Sequence, residues 1–335
     1  MQYRNLGKSQ LKVSALCLGT MMFGDQTELA EASSIVAQAR EQGVNYLDTA
    51  DVYTKGASES MVGQILQGQR SDWVLATKLG NRMSDRPNEA QYSRKWMLRE
   101  VEASLQRLKT DHIDVLYLHR DFNEMNLEEP LYALDALMRD GKIRYWGLSN
   151  FRAWRIGEMV HGARQIGMPG PVVCQPYYNL LNRMPEVEIL PACEHFGMGV
   201  TSYSPVARGV LTGKYLPGQA PQEGTRAARG DRRMSETEFR EESLRIAQRL
   251  KEHVEPNGIS LAQFATAWVL AHRAVSSVIA GPRTLAQWQD YFPALDYIVT
   301  PEDDGLVDEL VSPGHPSTPG FTDPAYPLHP RRRLV

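Results

Sequence analysis

Four residues in the first third of the chain carry groups that together can hand a proton to a carbonyl: Asp48, Tyr53, Lys78 and His119. Asp48, Lys78 and His119 close short apolar runs, and Tyr53 follows Asp48 within one turn. A free tyrosine loses its proton only near pH 10 or so. A neighbouring ammonium favours the phenolate and lowers that value, which Lys78 can do. Asp48 can pair with Lys78 and hold it in place, while His119 can hydrogen-bond the substrate oxygen and help move the proton. Such a group protonates a carbonyl oxygen as hydride reaches the carbon, or takes a proton from an alcohol in reverse. Each residue alone has an ordinary structural explanation, such as capping nearby backbone. Their convergence is the informative point.

Convergence requires elements that bring distant strand ends to one face. Short apolar or β-branched runs recur at Ala15–Gly19, Asn45–Asp48, Trp73–Lys78, Ile113–His119, Tyr145–Ser149, Val172–Gln175, Gly199–Ser204 and Ser277–Gly281, each bounded by turn-forming residues. Helical patterns lie between them. Glu28–Gln42 aligns Ala32, Ile35, Val36 and Ala39 on one stripe and ends at Gly43. Ser93–Leu108 aligns Met97, Val101, Ser104, Leu105 and Leu108, with Ser93 as N-cap. Leu261–Leu270 is Ala-rich and apolar, as a helix packed on a sheet would be.

Eight strand-then-helix repeats predict an α/β fold, a (β/α)8 TIM barrel. An open doubly wound sheet holding a dinucleotide would want a GxGxxG turn, which the sequence lacks. Tyr3 and Leu11–Val13, around a Gly7–Ser9 turn, predict an N-terminal β-hairpin capping the barrel bottom. Arg120–Glu129 and Pro205–Phe239 are long for connections and predict extra loops at the catalytic face. The stretch from Pro301 contains SPGHPSTPGFTDPAYP, too rich in Pro and Gly for regular structure, and can reach the same face. Residues 1–335 are expected to form a single domain, with a barrel core over about 15–300 and a tail over 301–335.

Composition narrows the function. Apolar residues make up 42% and charged residues 23% of 335, as in a globular protein, and a net charge of −3 gives no electrostatic case for nucleic acid or an anionic membrane. No apolar run approaches the roughly 20 residues that span a bilayer. The N-terminus scatters charges where a signal peptide would be apolar, so the cytoplasm is the expected location. Cys17, Cys174 and Cys193 lack metal-like spacing and fit buried thiols, and with no HxH or HExxH no metal site is expected.

The later strand ends offer a shelf for a cofactor. Ser149, Asn150 and Gln175 carry the hydroxyl and amide groups that bind a carboxamide, and Tyr203 offers a flat face for a nicotinamide ring. Gly19, Thr20 and Met21 would approach from the other side. The turn Gly281–Pro282–Arg283–Thr284 leads into a helix at Leu285–Gln289, and barrels often hold phosphate near strands seven and eight at a helix N-terminus. Arg283 there can fork onto a ribose 2′-phosphate, favouring NADPH/NADP+ over NADH, with Gln287 one turn on near the adenine. Met21, Met22, Phe23, Tyr53, Phe122 and Phe321 can give an apolar substrate wall, while Arg120, beside His119, can attract an anionic one.

The segments LDTADVY (Leu47–Tyr53), LATK (Leu75–Lys78), DVLYLHR (Asp114–Arg120), GLSNF (Gly147–Phe151), CQPYYNL (Cys174–Leu180), SYSPVARGVLTGKY (Ser202–Tyr215) and IAGPRTLAQ (Ile279–Gln287) resemble those of the aldo-keto reductase family, in order and in spacing. The resemblance implies a barrel binding an extended nicotinamide cofactor, with Tyr53 as general acid and Lys78, Asp48 and His119 supporting it. It also implies that Ser204, Pro205, Ala207, Gly209, Leu211 and Lys214 wrap the cofactor. Tyr291 departs from the family, where an asparagine commonly completes the adenine contact; Asp290 is a partial substitute.

The expected activity is reversible NADP(H)-dependent reduction of aldehydes or ketones, with a small carbonyl or alcohol as the partner. The alternative is a cofactor-binding regulatory subunit like the auxiliary subunits of potassium channels that share this fold. The chain starts directly in the barrel, which is expected to disfavour that alternative. A barrel hydrolase or isomerase would want a metal cluster and would have no use for Tyr203 or Ser149–Asn150. The barrel core needs no second subunit.

Overall fold

The computed structural model describes residues 1–326. A two-stranded antiparallel hairpin, β1 (Tyr3–Asn5) and β2 (Lys12–Ser14), precedes eight parallel strands. These are β3 (Leu16–Gly19), β4 (Tyr46–Asp48), β5 (Val74–Leu79), β6 (Ile113–Leu118), β7 (Ile143–Ser149), β8 (Val173–Gln175), β9 (Gly199–Ser202) and β10 (Val275–Ala280). They pair in sequence order and β10 closes onto β3, so the sheet is a closed barrel with helices around it. The chain is a (β/α)8 TIM barrel with an N-terminal hairpin.

Strand alternation divides the core in two. Cys17, Tyr46, Val74, Ala76, Val115, Tyr117, Val173 and Ile279 fill the barrel interior, and Leu6 and Val13 of the hairpin plug its lower end. Their neighbours Leu16, Leu18, Leu47, Leu75, Leu116 and Leu118 point outward against the helices. Helix Leu29–Glu41 buries Ala32, Ile35, Val36 and Ala39, the stripe expected from spacing, and Gly43 adopts φ +80° just beyond it. Truncating Ile35 to alanine would cost about 2–5 kcal/mol through lost burial and a cavity. Helix Arg94–Leu108 is capped by Ser93, whose Oγ accepts Trp96 N at 3.3 Å. Helix Leu261–Ala271 opens with a reciprocal cap between Ser260 and Gln263.

Boundaries moved where tertiary pairing extends an apolar run. β7 and β10 each begin two residues before the expected Tyr145 and Ser277, paired with β6 and β9. β9 ends at Ser202, and Tyr203 joins Tyr177 through an isolated bridge. The tail is not irregular from its start. Pro301–Leu310 is a helix, because Thr300 and Asp303 form a reciprocal cap with Pro301 at the first helical position. The Pro- and Gly-rich segment beyond it, as far as 326, forms turns and one bridge, Asn182 to Pro316. Residues 327–335 of the expected tail lie outside the described residues. No helix among the described residues is long and apolar enough to cross a membrane.

Candidate active site

The same alternation aims the candidate residues inward. Asp48 lies two residues after the interior Tyr46, Lys78 two after Ala76, His119 two after Tyr117 and Gln175 two after Val173. Parallel strands bring all of these ends to one barrel face.

The Lys78 ammonium is fully buried and donates to Asp48 Oδ1, to Thr49 O at 2.7 Å and to the Tyr53 hydroxyl at 3.1 Å. The other Asp48 oxygen accepts Gln175 Nε2 at 2.8 Å. Burial opposes the charge on Lys78, yet Asp48 and Tyr53 hold it above the usual lysine range, so it remains an ammonium at neutral pH. Burial raises the Tyr53 hydroxyl above its ordinary value; Lys78 pulls it down, while Asp48 and Asp51 push it up. The expected net lowering by Lys78 is thus not met, because burial outweighs the ammonium and Asp48 sits beside that charge. His119 packs edge-on to Tyr53 at 6.0 Å between ring centres. Burial, then the charges of Lys78 and Arg120, hold its imidazole well below the ordinary histidine range. A neutral ring suits a hydrogen bond to a substrate oxygen and not the part of a charged proton source.

A hydrogen-bonded chain ties this group to the shelf. Tyr203 donates to Asn150 Oδ1 at 2.7 Å, and Asn150 Nδ2 donates to Ser149 Oγ and to His119 O, each at 3.0 Å. Ser149 Oγ donates to Gln175 O at 2.9 Å. A carboxylate only accepts, so Gln175 must turn its amide nitrogen to Asp48, which leaves its carbonyl as the end that takes a donor. A nicotinamide carboxamide supplies such a donor, and the donor set fits it.

Tyr53, His119, Asp48 and the shelf residues Ser149, Asn150, Gln175 and Tyr203 line one cavity of about 740 Å³. Gly19, Thr20, Met21, Met22, Ser204, Pro205, Gly209, Lys214, Gly281, Arg283 and Gln287 also line it, as do Asp290 and Tyr291. At its far end Lys214 is pushed below the ordinary lysine value by burial and by the charges of Arg283 and Arg229. No ion pair of these three cations is found among the described residues, and their grouping fits a phosphate-bearing cofactor.

Several expected positions lie elsewhere. Phe23 is fully buried in the outer core, because a turn from Thr20 and a bridge to Thr27 tuck its ring inward. Ala207 and Leu211 are also buried there and do not line the cavity, where Val206, Arg208 and Thr212 take their place. Arg120 turns away to donate to Ala325 O at 3.0 Å and to stack on Phe122 and Tyr326. Phe122 packs on Tyr92, and Phe321 lies under the Arg240 guanidinium. In the helix after Thr284, Leu285 N donates to Glu31 Oε1 and Gln287 N to Thr284 Oγ1, so these two first-turn amides already have partners within the protein.

Arg208, Arg226, Arg229 and Arg233 of the seventh loop and Tyr326 of the tail line the cavity without having been singled out. The crowding of arginines in TRAARGDRR was the available signal; for Tyr326 there was none.

Comparison with known proteins agrees with this geometry. Residues 15–312 match the aldo/keto reductase family. A probable voltage-gated potassium channel subunit beta of Arabidopsis thaliana is 39% identical over 305 residues, covering 89% of this chain and 92% of the relative. The uncharacterized oxidoreductase YrpG of Bacillus subtilis is 34% identical over 338 residues, covering 97% and 99%. Another Bacillus subtilis oxidoreductase, YqkF, is 36% identical over 297 residues, covering 88% and 91%. With the family match spanning the whole barrel, the chain belongs to the aldo/keto reductase family of oxidoreductases, whose members generally use NAD(P)H.

Proposed function

We propose that the chain reduces aldehydes or ketones to alcohols with NADP(H), reversibly, with a small carbonyl or alcohol compound as its partner. The observation that carries this reading is the Asp48–Lys78–Tyr53 array opening into the same cavity as Ser149, Asn150, Gln175 and Tyr203. A bound nicotinamide supplies hydride to the carbonyl carbon. Ser149, Asn150 and Gln175 hold its carboxamide, and Tyr203 backs the ring. Tyr53 gives its phenolic proton to the carbonyl oxygen and takes one from an alcohol in reverse. Lys78 stabilises the phenolate so formed, Asp48 fixes Lys78, and neutral His119 orients the oxygen. Lys214 and Arg229 attract the phosphates, and Arg283 selects NADP(H) through a ribose 2′-phosphate.

A second reading has its own support: three relatives carry the name of potassium channel beta subunits, so cofactor binding can serve a partner protein. NADPH consumption over a panel of aldehydes and ketones, wild type against Tyr53→Phe, separates the two. Turnover of about 1 s⁻¹ or more in the wild type, lost in the variant, is expected. Tight NADPH binding with no carbonyl turned over replaces the reductase reading with the second one.

A further inference from the structure

Behind the Tyr53 turn lies a buried charged cluster that the chemistry above does not use, and none of its members lines the cavity. Arg107, on helix Arg94–Leu108, donates from Nε to Glu59 Oε2 at 2.6 Å. Its Nη2 donates to Glu100 Oε1 and to Ser104 Oγ. Both carboxylates are buried. The other oxygen of Glu59 accepts Thr77 Oγ1 at 2.5 Å. Thr77 immediately precedes Lys78 and, by strand alternation, points out of the barrel while Lys78 points in. Asp51 completes the cluster: Oδ1 accepts Val52 N at 2.6 Å, and Oδ2 is buried with no partner.

Arg107 also touches the turn that carries Tyr53. Thr54, Lys55 and Gly56 take φ values of 49°, 53° and 91°, three successive residues in the left-handed region. Threonine and lysine do not adopt that conformation by local preference, so packing must hold it. A Cβ on Gly56 would stand 2.8 Å from Arg107 Cδ and 3.1 Å from its Nε, which places the arginine directly against the turn. The same guanidinium is thus pressed against the Tyr53 turn and bound, through Glu59, to the strand that carries Lys78.

We infer that Arg107 is a positioning residue for Tyr53: it braces the left-handed turn and, through Glu59 and Thr77, sets the phenol–ammonium distance from behind. This rests on the reading of Tyr53 as the proton donor. Besides Lys78 on β5, the ionisable groups facing Tyr53 are Asp48 on β4, Asp51 in its own loop and His119 after β6. A loosened turn moves the phenol away from Lys78 and raises its pKa while Asp48 and Asp51 keep opposing the phenolate.

The test compares Arg107→Met, Arg107→Lys and the isosteric Glu59→Gln in the full chain. In Arg107→Met, kcat is expected to fall about tenfold to a hundredfold, the scale of a small misplacement of a reacting group. Carbonyl KM and NADPH Kd stay near wild type, the basic limb of the kcat–pH profile moves to higher pH, and hydrogen exchange over residues 50–57 quickens. Arg107→Lys recovers part of each change. An unmoved limb with wild-type kcat overturns the inference, as does a fall in Tm and kcat with a matching rise in KM and Kd. If Arg107→Met does not fold, Arg107→Lys and Glu59→Gln decide by the same readouts. Should the wild type turn over no carbonyl, the reductase reading fails, and exchange over 50–57 still decides: unchanged protection in the variants overturns the brace.

Discussion

The Tyr53 oxygen accepts a hydrogen bond from the Lys78 ammonium at 3.1 Å, and this fixes where the phenol proton points. An ammonium has donors only, so Tyr53 must be the acceptor in that contact. Its own proton is left for another acceptor, and the residue lines the cavity. The remaining donors of Lys78 are engaged by Asp48 and Thr49 O, so the lysine cannot itself reach a substrate. The array is therefore directional, with charge behind the phenol and a proton in front.

Removing only that hydroxyl tests the direction. Tyr53→Phe is expected to lose about 10²- to 10⁴-fold in carbonyl turnover, the range for a positioned general acid. NADPH affinity, measured by fluorescence titration, stays at the wild-type value because the shelf is untouched. Full activity in the variant would assign the proton to another group.

Lys78→Met separates stability from chemistry. It leaves Asp48 buried without its cation, and breaking a buried pair in this way costs about 3–5 kcal/mol. The double variant Lys78→Met with Asp48→Asn removes the stranded charge and is expected to regain most of that loss in urea unfolding. Turnover stays lost in both. Equal stability of the single and double variants contradicts the argument.

Legibility in the sequence followed the kind of physics that places each residue. Asp48, Lys78, His119 and Gln175 were readable because strand alternation and a parallel barrel leave them one destination. Phe23 and Arg120 carried suitable chemistry in suitable segments, but local turns and the tail decide their directions, and these have no period to read. Arg226, Arg229 and Arg233 sit in a loop that folds back over the barrel mouth. Tyr326 reaches the same mouth from a segment with no regular structure. Such returns depend on tertiary contacts between segments far apart in the chain.

His119 gives stability an acid dependence. Its native pKa is held well below the ordinary value, so between the two values the unfolded chain binds a proton that the native state does not. Stability is then full above about pH 6.5, the ordinary histidine value, and falls as pH drops below it. Urea unfolding from pH 8 to pH 5 should show this slope in the wild type and a shallower one in His119→Gln, with half-buried His272 contributing equally to both. Parallel curves would mean that the His119 ring is not held neutral.

Arg283 lies at the far end of the cavity, close enough to Lys214 for its charge to lower that lysine. Its Nη1 donates only weakly, at 3.3 Å, to Gln26 Oε1, which a phosphate can displace. Arg283→Ala is expected to cut the NADPH-over-NADH efficiency ratio about tenfold to a hundredfold, the value of one or two charge-assisted hydrogen bonds. An unchanged ratio removes Arg283 from cofactor selection and leaves Lys214 and Arg229 as the candidates.

Tyr326 lines the cavity from the tail, and contacts to three different segments set its place, one of them Arg152 after β7, whose Nη2 donates to Tyr326 O at 3.2 Å. Arg233 of the seventh loop forks onto Asp323 at 2.9 and 2.6 Å, Asp323 accepts Ala325 N at 2.9 Å, and Arg120 holds Ala325 O while stacking on the Tyr326 ring. In the proposed reaction, a flat phenol there is expected to favour aromatic carbonyls over short aliphatic ones. Tyr326→Ala should raise KM for an aromatic aldehyde about tenfold, the loss of one well-packed apolar contact, and leave a short aliphatic aldehyde nearly unaffected. Asp323→Asn weakens the fork without removing the ring, so its KM effect should run the same way and be smaller. Equal KM changes for both aldehydes in Tyr326→Ala would show that the tail fixes the mouth as a whole and does not select among substrates.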